Sequence, residues 1–302
     1  MDYYEEIKNE LIENETYKRA KDYSKNRSDL MHYYKVGKLL IEAQEGEKRA
    51  KYGDGLIKEY SRRLTLELNH KYSYRNLMNM RKLYILFKDE KVNALRTVLS
   101  WTHYRELLVL SNIDEINYYI DISIAYNLSY RQLHDRIKLK EYERLSLETR
   151  NKLVNKRQIK IADLVKNPIV IKNTLNKEII SEKYLKKLIL EDITGFMKEL
   201  GSGFSFIDSE HKIRIGNTYN YIDILLFNIK YNCYVVVELK ICELKKEHIG
   251  QVMLYMNYID KNIKNVYHDK TIGIIICKHD NKLILEYSSD PRIFSTTYEL
   301  IM

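Results

Sequence analysis

The stretch Tyr221–Lys240 reads YIDILLFNIKYNCYVVVELK, and the prediction of the fold starts from it. It is strongly apolar, yet Asp223, Glu238 and Lys240 interrupt it. Two runs rich in β-branched and aromatic residues flank a polar centre, which is the pattern of two strands joined by a turn. We therefore interpret the stretch as a β-hairpin with a four-residue loop at 229–232.

This register predicts a cluster of charges on one face of the hairpin. Asp223 lies directly opposite Glu238, and side chains opposed in this way have Cβ atoms about 5 Å apart. Lys240, two residues after Glu238, points to the same face. Two such carboxylates repel each other, so a stable site needs a cation between them, and oxygen ligands suit Mg²⁺ or Mn²⁺. A structural acid–lysine pair on a solvated face is the alternative.

The composition narrows the class of partner. The formal net charge of the 302 residues is +9, which favours a polyanion such as nucleic acid. Compositional bias from an AT-rich genome would also enrich Lys, Asn, Ile and Tyr. The three cysteines have no metal-ligand or disulfide spacing, and no apolar run is long enough to cross a membrane. We expect a protein of the cytoplasm that does not enter a membrane.

Residues 1–150 are predicted to form an all-α domain, because apolar residues recur there at three- and four-residue spacing. SYRNL at Ser73 and SYRQL at Ser129 indicate two helix starts with the same capping chemistry. The stretch 56–87 suggests a helix-turn-helix, and a plain helical hairpin with a solvated basic face is the alternative. If it binds DNA, the contacting residues on its second helix would be Arg75, Asn76, Arg81 and Lys82.

A second domain is predicted at 181–302, after a polar connector at 151–180. SEKYLKKLILEDITGFMKELGSG has the pattern of one amphipathic helix. Short β-rich runs follow, then a helix over 246–259, and two further strands, TIGIIICK and KLILEYS. This order implies a mixed central sheet flanked by helices, an α/β or α+β domain.

The spacing D-x14-ExK across adjacent strands resembles the active site of PD-(D/E)XK nucleases. More narrowly, the chain resembles the YhcG-like family of that superfamily, through FMKELGSGFSFI, YIDILLF, VVVELK, HIGQVMLYMNYID and TIGIIICK, and through YGDGLIKEYSRRL, NLMNMRKLY and LSWTHYREL in the first half. The resemblance covers most of the chain. It implies a restriction-endonuclease-like fold, dependence on a divalent metal, and hydrolysis of phosphodiester bonds in DNA by a metal-activated water.

The resemblance also implies roles for individual residues. Asp223 and Glu238 would bind metal, and Lys240 would serve the nucleophile. Gln251 and Tyr255 match a QxxxY element of related nucleases and share one helix face.

Many members of the superfamily add an acidic residue from the first helix of the nuclease domain. Glu199 is the preferred candidate for this further metal ligand here, and Asp192 is the other.

Four further basic residues are candidates for phosphate contacts, which position a duplex without reading its sequence. Lys212 and Arg214 precede the first carboxylate, and Lys245 and Lys246 follow Lys240. Exposed edge residues would explain the first pair equally well. A homodimer is expected, since nucleases that cut both strands often pair two sites. The alternatives are a catalytically inactive nucleic-acid-binding or assembly protein on the same fold, and cleavage of RNA.

Overall fold

The computed structural model describes residues 3–20, 25–44, 50–68, 72–88, 98–173, 181–287 and 290–301. The chain divides into two compact units, Met1–Tyr142 and Glu143–Met302. Residues 174–180 of the predicted connector lie outside the described residues. Within the described ranges, no helix combines the length and the apolar character that a membrane crossing demands.

The described part of the first unit is helical, as the apolar spacing predicts. Its helices are α1 (Tyr3–Ala20), α2 (Lys25–Ala43), α3 (Ala50–Glu67), α4 (Tyr74–Phe87), α5 (Trp101–Leu107), α6 (Ile113–Ala125) and α7 (Tyr130–Lys138). Helix α2 packs against α1 and α4. Large aromatic side chains fill much of the core, among them the fully buried Tyr4, Tyr72, Tyr104 and Tyr119.

The capping predicted for the two SYR segments is confirmed. The hydroxyl of Ser73 accepts from the backbone N–H of Asn76 at the start of α4. Ser129 accepts in the same way from Gln132 at the start of α7, and the Gln132 side chain accepts in return from the Ser129 N–H. These bonds satisfy backbone donors that the first helical turn leaves free.

The second unit contains the predicted mixed sheet with flanking helices. Its elements are α8 (Leu147–Val154), α9 (Ile161–Leu164), β1 (Ile169–Lys172), α10 (Glu182–Glu191), α11 (Ile193–Leu200), β2 (Phe204–Ile215), β3 (Thr218–Asn228), β4 (Cys233–Leu239), α12 (Lys246–Asn262), β5 (Ile272–Cys277), α13 (Lys282–Glu286) and β6 (Ile293–Ile301). The strand order is β1-β6-β5-β4-β3-β2. Strands β2, β3 and β4 pair antiparallel, and β4, β5, β6 and β1 pair parallel.

Alternating side chains of β4 supply two cores, one on each face of the sheet. Val235, Val237 and Leu239 are buried against α10 and α11. Val236 is buried on the other face, against α12. Burial on both faces explains why β4 is an almost continuous apolar run.

The hairpin register is confirmed over the paired length of the two arms. The ladder runs from Asn228 opposite Cys233 to Ile224 opposite Val237. The loop between the arms consists of residues 229–232, and Asn232 takes a positive φ of 48°. Asparagine tolerates this left-handed conformation better than most residues, which suits it to the end of a tight loop.

Three expectations for the second unit are corrected. The predicted connector contains the end of α8, all of α9 and β1, and β1 joins the sheet beside β6 because Ile169 and Ile171 are buried. The long predicted helix breaks at Asp192, whose carboxylate caps α11 by accepting from the Gly195 N–H. Residues Lys282–Glu286 of the segment KLILEYS form α13 instead of a strand, and the strand beside β5 is the later β6.

Candidate active site

The hairpin arms separate immediately beyond their last paired residues, and Asp223 lies at this point. The last pair of the ladder is Ile224 with Val237, so Asp223 and Glu238 are the next two residues to face each other. The Asp223 carboxylate reaches across the gap, where its Oδ2 accepts from the backbone N–H of Leu239 at 3.0 Å. This bond fixes the first carboxylate against the end of β4.

Glu238 is the most deeply buried acid of the site, with only 2% of its surface exposed. Its Oε1 accepts from the Lys240 ammonium at 2.9 Å. Its Oε2 is also buried and has no hydrogen-bond partner in the described structure. Burial, reinforced by the charge of Asp223, raises the pKa of Glu238 to about 7. A buried carboxylate oxygen without a donor is costly, so this oxygen is suited to carry a proton or to bind a cation.

Lys240 follows directly on β4, where its backbone N–H donates to Ile276 and continues the ladder. Its ammonium contacts Glu238 and lies 3.5 Å from the Glu182 carboxylate. Burial lowers the pKa of Lys240, but the charge and hydrogen bond of Glu238 outweigh burial, and the pKa is raised overall. The group is therefore a fixed positive charge beside the orphaned oxygen.

Glu182 is a site residue that the sequence analysis missed. It is the first residue of α10, directly after the N-cap Ser181, and 41% of its side chain is exposed. Because this segment was predicted to be one long amphipathic helix, the candidate acids were sought farther along it, at Asp192 and Glu199. The sequence signal for Glu182 was its position as an acid in the first helical turn with a lysine, Lys186, four residues later.

Lys186 holds Asp223 from the other side. Its ammonium lies 3.0 Å from Asp223 Oδ1 and 2.9 Å from Glu210 Oε1. Glu210 sits on β2 between the pairs Ser209–Ile224 and His211–Ile222, and so faces Asp223. Its φ of 53° is a left-handed conformation that costs energy for a residue with a side chain. The strained backbone therefore presents a second acceptor to Lys186.

Gln251 and Tyr255 meet each other on α12, one turn apart. The Gln251 side-chain amide donates to the Tyr255 hydroxyl at 2.9 Å. Burial raises the pKa of Tyr255, and the charges of Glu238 and Asp223 raise it further. The hydroxyl thus lies within the field of the two acids, as the shared helix face predicts. The Gln251 side chain is therefore held on Tyr255, and the catalytic roles of both residues stay predictions.

The expectation for Glu199 as a metal ligand is corrected. Both of its carboxylate oxygens are bound by the Arg144 guanidinium, and the Val170 N–H donates to Oε2 at 2.9 Å. Burial raises the pKa of Glu199, but the Arg144 hydrogen bonds hold it below its usual value. Glu199 is therefore the acidic member of a buried ion pair with Arg144, and its bond from the Val170 N–H ties α11 to β1. Asp192, the other candidate, caps α11 and pairs with Lys172.

The carboxylates of the site are spaced by ammonium groups. Among the described residues, three potential metal ligands within 4.8 Å of one another occur only at Glu10, Glu13 and His32 in the first unit. There, His32 and Lys35 both bind Glu10. In the second unit, Lys186 and Lys240 each contact two of the acids.

Three of the four predicted DNA-contacting residues on α4 have internal partners. Asn76 accepts from the Trp101 indole N–H at 3.3 Å, and Arg81 donates to Gln44 at 2.7 Å. The Lys82 ammonium donates to the carbonyls of Leu108 and Leu110 just after α5.

Asn76, Arg81 and Lys82 are half-buried and each has a contact within the helical unit, and DNA contact by these three residues stays a prediction. Arg75 is exposed and remains a prediction, as does the helix-turn-helix itself.

The four basic residues predicted in the second unit all lie on its surface. Lys212 and Arg214 are exposed on β2, and Lys245 and Lys246 are exposed at the start of α12. Lys245 occupies the N-cap position of α12, a few residues after Lys240. Their exposure leaves them accessible to a polyanion.

Two family models match the chain and together span most of it. Residues 162–302 match the YhcG PDDEXK nuclease domain, and residues 7–144 match the DUF1016 N-terminal domain. A curated relative is the protein YhcG of Escherichia coli (strain K12), with 25% identity over 81% of this chain and 75% of that protein.

Solved structures also match, each over less than half of either chain. One is a repair endonuclease from Pyrococcus abyssi, at 20% identity, 42% of this chain, 49% of that chain and a TM-score of 0.29. Another is an EndoMS–double-stranded DNA complex, at 20% identity, 43% and 48% coverage and a TM-score of 0.29. The chain spans about half the length of these structures.

Proposed function

The chain belongs to the YhcG-like family of PD-(D/E)XK nucleases, and from this premise we propose that it hydrolyses phosphodiester bonds in DNA with the help of a divalent metal ion. The observation that carries the proposal is the cluster of Asp223, Glu238 and Lys240 at the point where β3 and β4 separate.

The donor set suits a hard divalent cation, Mg²⁺ or Mn²⁺. Glu238 offers a buried oxygen without a donor, and Asp223 is fixed beside it by the Leu239 N–H. Glu182 adds a partly exposed carboxylate from α10. Carboxylate oxygens are the ligands that such ions prefer. A cation held there would polarise a phosphoryl oxygen and lower the pKa of a bound water.

Lys240 supplies the positive charge that the reaction needs beside these ligands. Its ammonium is oriented by Glu238 and Glu182, so it is positioned rather than free to rotate. A lysine can donate three hydrogen bonds, of which two directions are set by these acids. The remaining donor can orient the attacking water or stabilise the charge that develops on the phosphoryl group.

A polyanionic substrate fits the charge of the chain and the position of its basic residues. The net charge is +9, and Lys212, Arg214, Lys245 and Lys246 are exposed on the unit that holds the acids. Lysine and arginine contacts to phosphate supply most of the sequence-independent affinity for DNA. We extend the proposal to a homodimer, which would present one site to each strand, and to action in the cytoplasm, in keeping with three free cysteines.

The test is cleavage of a substrate panel by purified protein, with and without Mg²⁺ or Mn²⁺. The panel contains duplex, nicked, forked and single-stranded DNA and a single-stranded RNA. We expect E238Q and K240M to lower metal-dependent cleavage at least about 100-fold, a typical loss for removal of one charge-stabilising group. The exposed Glu286 and Lys261 provide matched controls, E286Q and K261M, that should cleave normally.

Undiminished cleavage by E238Q or K240M would refute the assignment of the site. DNA binding without cleavage by the wild type, under every metal condition, would favour the inactive binding protein instead. Cleavage confined to RNA would leave the chemistry in place and change the substrate.

A further inference from the structure

The hairpin of β2 and β3 extends beyond the main sheet and carries a basic and aromatic face. Its turn consists of Gly216 and Asn217, with Gly216 at a φ of 60°. A two-residue turn of this kind makes a tight, well-ordered hairpin. On one face, Ile213 and Ile222 are buried in the core that contains α12.

The opposite face holds four exposed residues in two facing pairs. Arg214 pairs with Tyr219, and Lys212 pairs with Tyr221. The two tyrosines are 51% and 53% exposed, which is unusual for large rings on a sheet. The Lys212 ammonium lies 3.8 Å from the centroid of the Tyr219 ring. The pairs therefore form a compact patch of two positive charges and two aromatic rings, which we name the hairpin patch (Lys212, Arg214, Tyr219 and Tyr221).

The hairpin patch leads directly into the acid site. Residues two apart on a strand share a face and are separated by about 7 Å. Along their strands, Asp223 lies two residues after Tyr221, and Glu210 lies two residues before Lys212. Lys186 contacts both of these acids, which confirms that they lie on one side. Tyr219 and Tyr221 stand about 14 Å and about 7 Å from Asp223 along the strand.

We propose that the hairpin patch binds a single-stranded segment of the DNA substrate and leads it into the site, so that the preferred substrates are forks, flaps or other DNA with unpaired bases. Exposed aromatic rings stack on bases, and every base has a face to offer when it is unpaired. A blunt duplex presents its phosphates but keeps its bases stacked on one another. Lysine and arginine alone would serve duplex binding, so the two tyrosines are the feature that favours unpaired bases.

The inference rests on the proposed nuclease function, but its test needs no cleavage. Binding is measured in EDTA by fluorescence anisotropy, with labelled single-stranded DNA, a fork, a blunt duplex and an RNA of the same sequence. The variants are Y219A/Y221A, the two single alanine variants, and Y219F/Y221F, which keeps both rings. Y267A removes a still more exposed tyrosine elsewhere in the same unit and serves as the control.

We expect each alanine to weaken binding of single-stranded DNA and of the fork about tenfold, since stacking of one base contributes about that much. Binding of the blunt duplex should change by less than about threefold, because its bases are not available for stacking. The phenylalanine variant and Y267A should bind like the wild type. K212A should weaken binding of all the DNAs alike and lower the salt dependence by about one charge.

Equal losses on duplex and single-stranded DNA, or no loss in the alanine variants, would overturn the inference. Tighter binding of RNA than of DNA would overturn the assignment to a DNA segment. If the double variant fails to fold, as judged by circular dichroism, the single variants decide the question. Failure of the nuclease proposal has a different signature, which is selective binding of unpaired DNA without cleavage in any metal.

Discussion

Replacing Glu238 by glutamine should abolish a loss of stability that the metal-free protein suffers as the pH rises. Burial, together with the charge of Asp223, raises the pKa of Glu238 from 4.5 to about 7. Between these two pH values, the native protein keeps a proton that the unfolded chain has released. Because the native state then binds more protons, the free energy of unfolding falls as the pH rises through this window.

The size of the effect follows from the difference in pKa. One pKa unit corresponds to about 1.4 kcal/mol, so the full difference amounts to about 3 kcal/mol. Below pH 4.5 the carboxyl group is protonated in both states and contributes nothing. Glutamine has the shape of the protonated acid and does not titrate. E238Q and the wild type should therefore be similar in stability near pH 4.5, and E238Q should be more stable by about 3 kcal/mol at pH 8.

The measurement is urea unfolding of both proteins between pH 4.5 and pH 8 in EDTA, followed by far-UV circular dichroism. The single tryptophan, Trp101, lies in the first unit, so its fluorescence identifies the transition of that unit. Groups remote from Glu238 titrate equally in both proteins and cancel in the comparison. Mn²⁺ at pH 8 should raise the stability of the wild type more than that of E238Q, since binding to the native state is stabilising. Parallel pH profiles for the two proteins would refute the reasoning.

Two further predictions concern other charged contacts. K186M should bind Mn²⁺ about tenfold more tightly than the wild type in calorimetry, because Lys186 competes with the metal ion for Asp223. The control K187M removes an exposed charge from the same helix and should bind Mn²⁺ like the wild type. Weaker binding by K186M would contradict this prediction. R144M should lower the free energy of unfolding by about 3–5 kcal/mol, because it removes the guanidinium that is hydrogen-bonded to the buried carboxylate of Glu199. R144M/E199M should recover part of that loss in urea unfolding, and a loss below about 1 kcal/mol for R144M alone would contradict the assignment.

The sequence predicted the structure best in the hairpin, where the two-residue side-chain period of a strand constrains the register. A strand has a side-chain period of two, so a shift of one residue would move Val235 and Val237 out of the core. A short polar loop then left one register in which both arms bury their apolar residues. The opposition of Asp223 and Glu238 followed from that register without any knowledge of the rest of the fold.

Interruptions and tertiary context were harder to predict. The apolar stripe continues through Asp192, and only its bond to the Gly195 N–H reveals that one helix ends there and another begins. Ile169 and Ile171 are too few to indicate a strand without the neighbouring β6. The acid of the first helix was misjudged for a related reason. Glu199 lies beside the stripe, but the local pattern gave no sign that Arg144 would bind it.

The balance of charge in the site ties its features together. The site holds the carboxylates of Asp223, Glu238, Glu182 and Glu210 and the ammonium groups of Lys186 and Lys240. Each carboxylate lies 3.5 Å or less from one of the two ammonium groups. If every acid is ionised, two negative charges remain uncompensated. The raised pKa of Glu238, the most buried of these acids, and the contact of Lys186 with Asp223 both lessen this excess. A divalent cation carries the charge that would neutralise the cluster, and Glu210 would retain the Lys186 ammonium once Asp223 is taken by the cation. Lys186 and Lys240 stabilise the acids when no metal is bound, and they would limit how tightly the site binds a metal ion. Removal of either lysine is therefore expected to change the affinity for metal before it changes the fold.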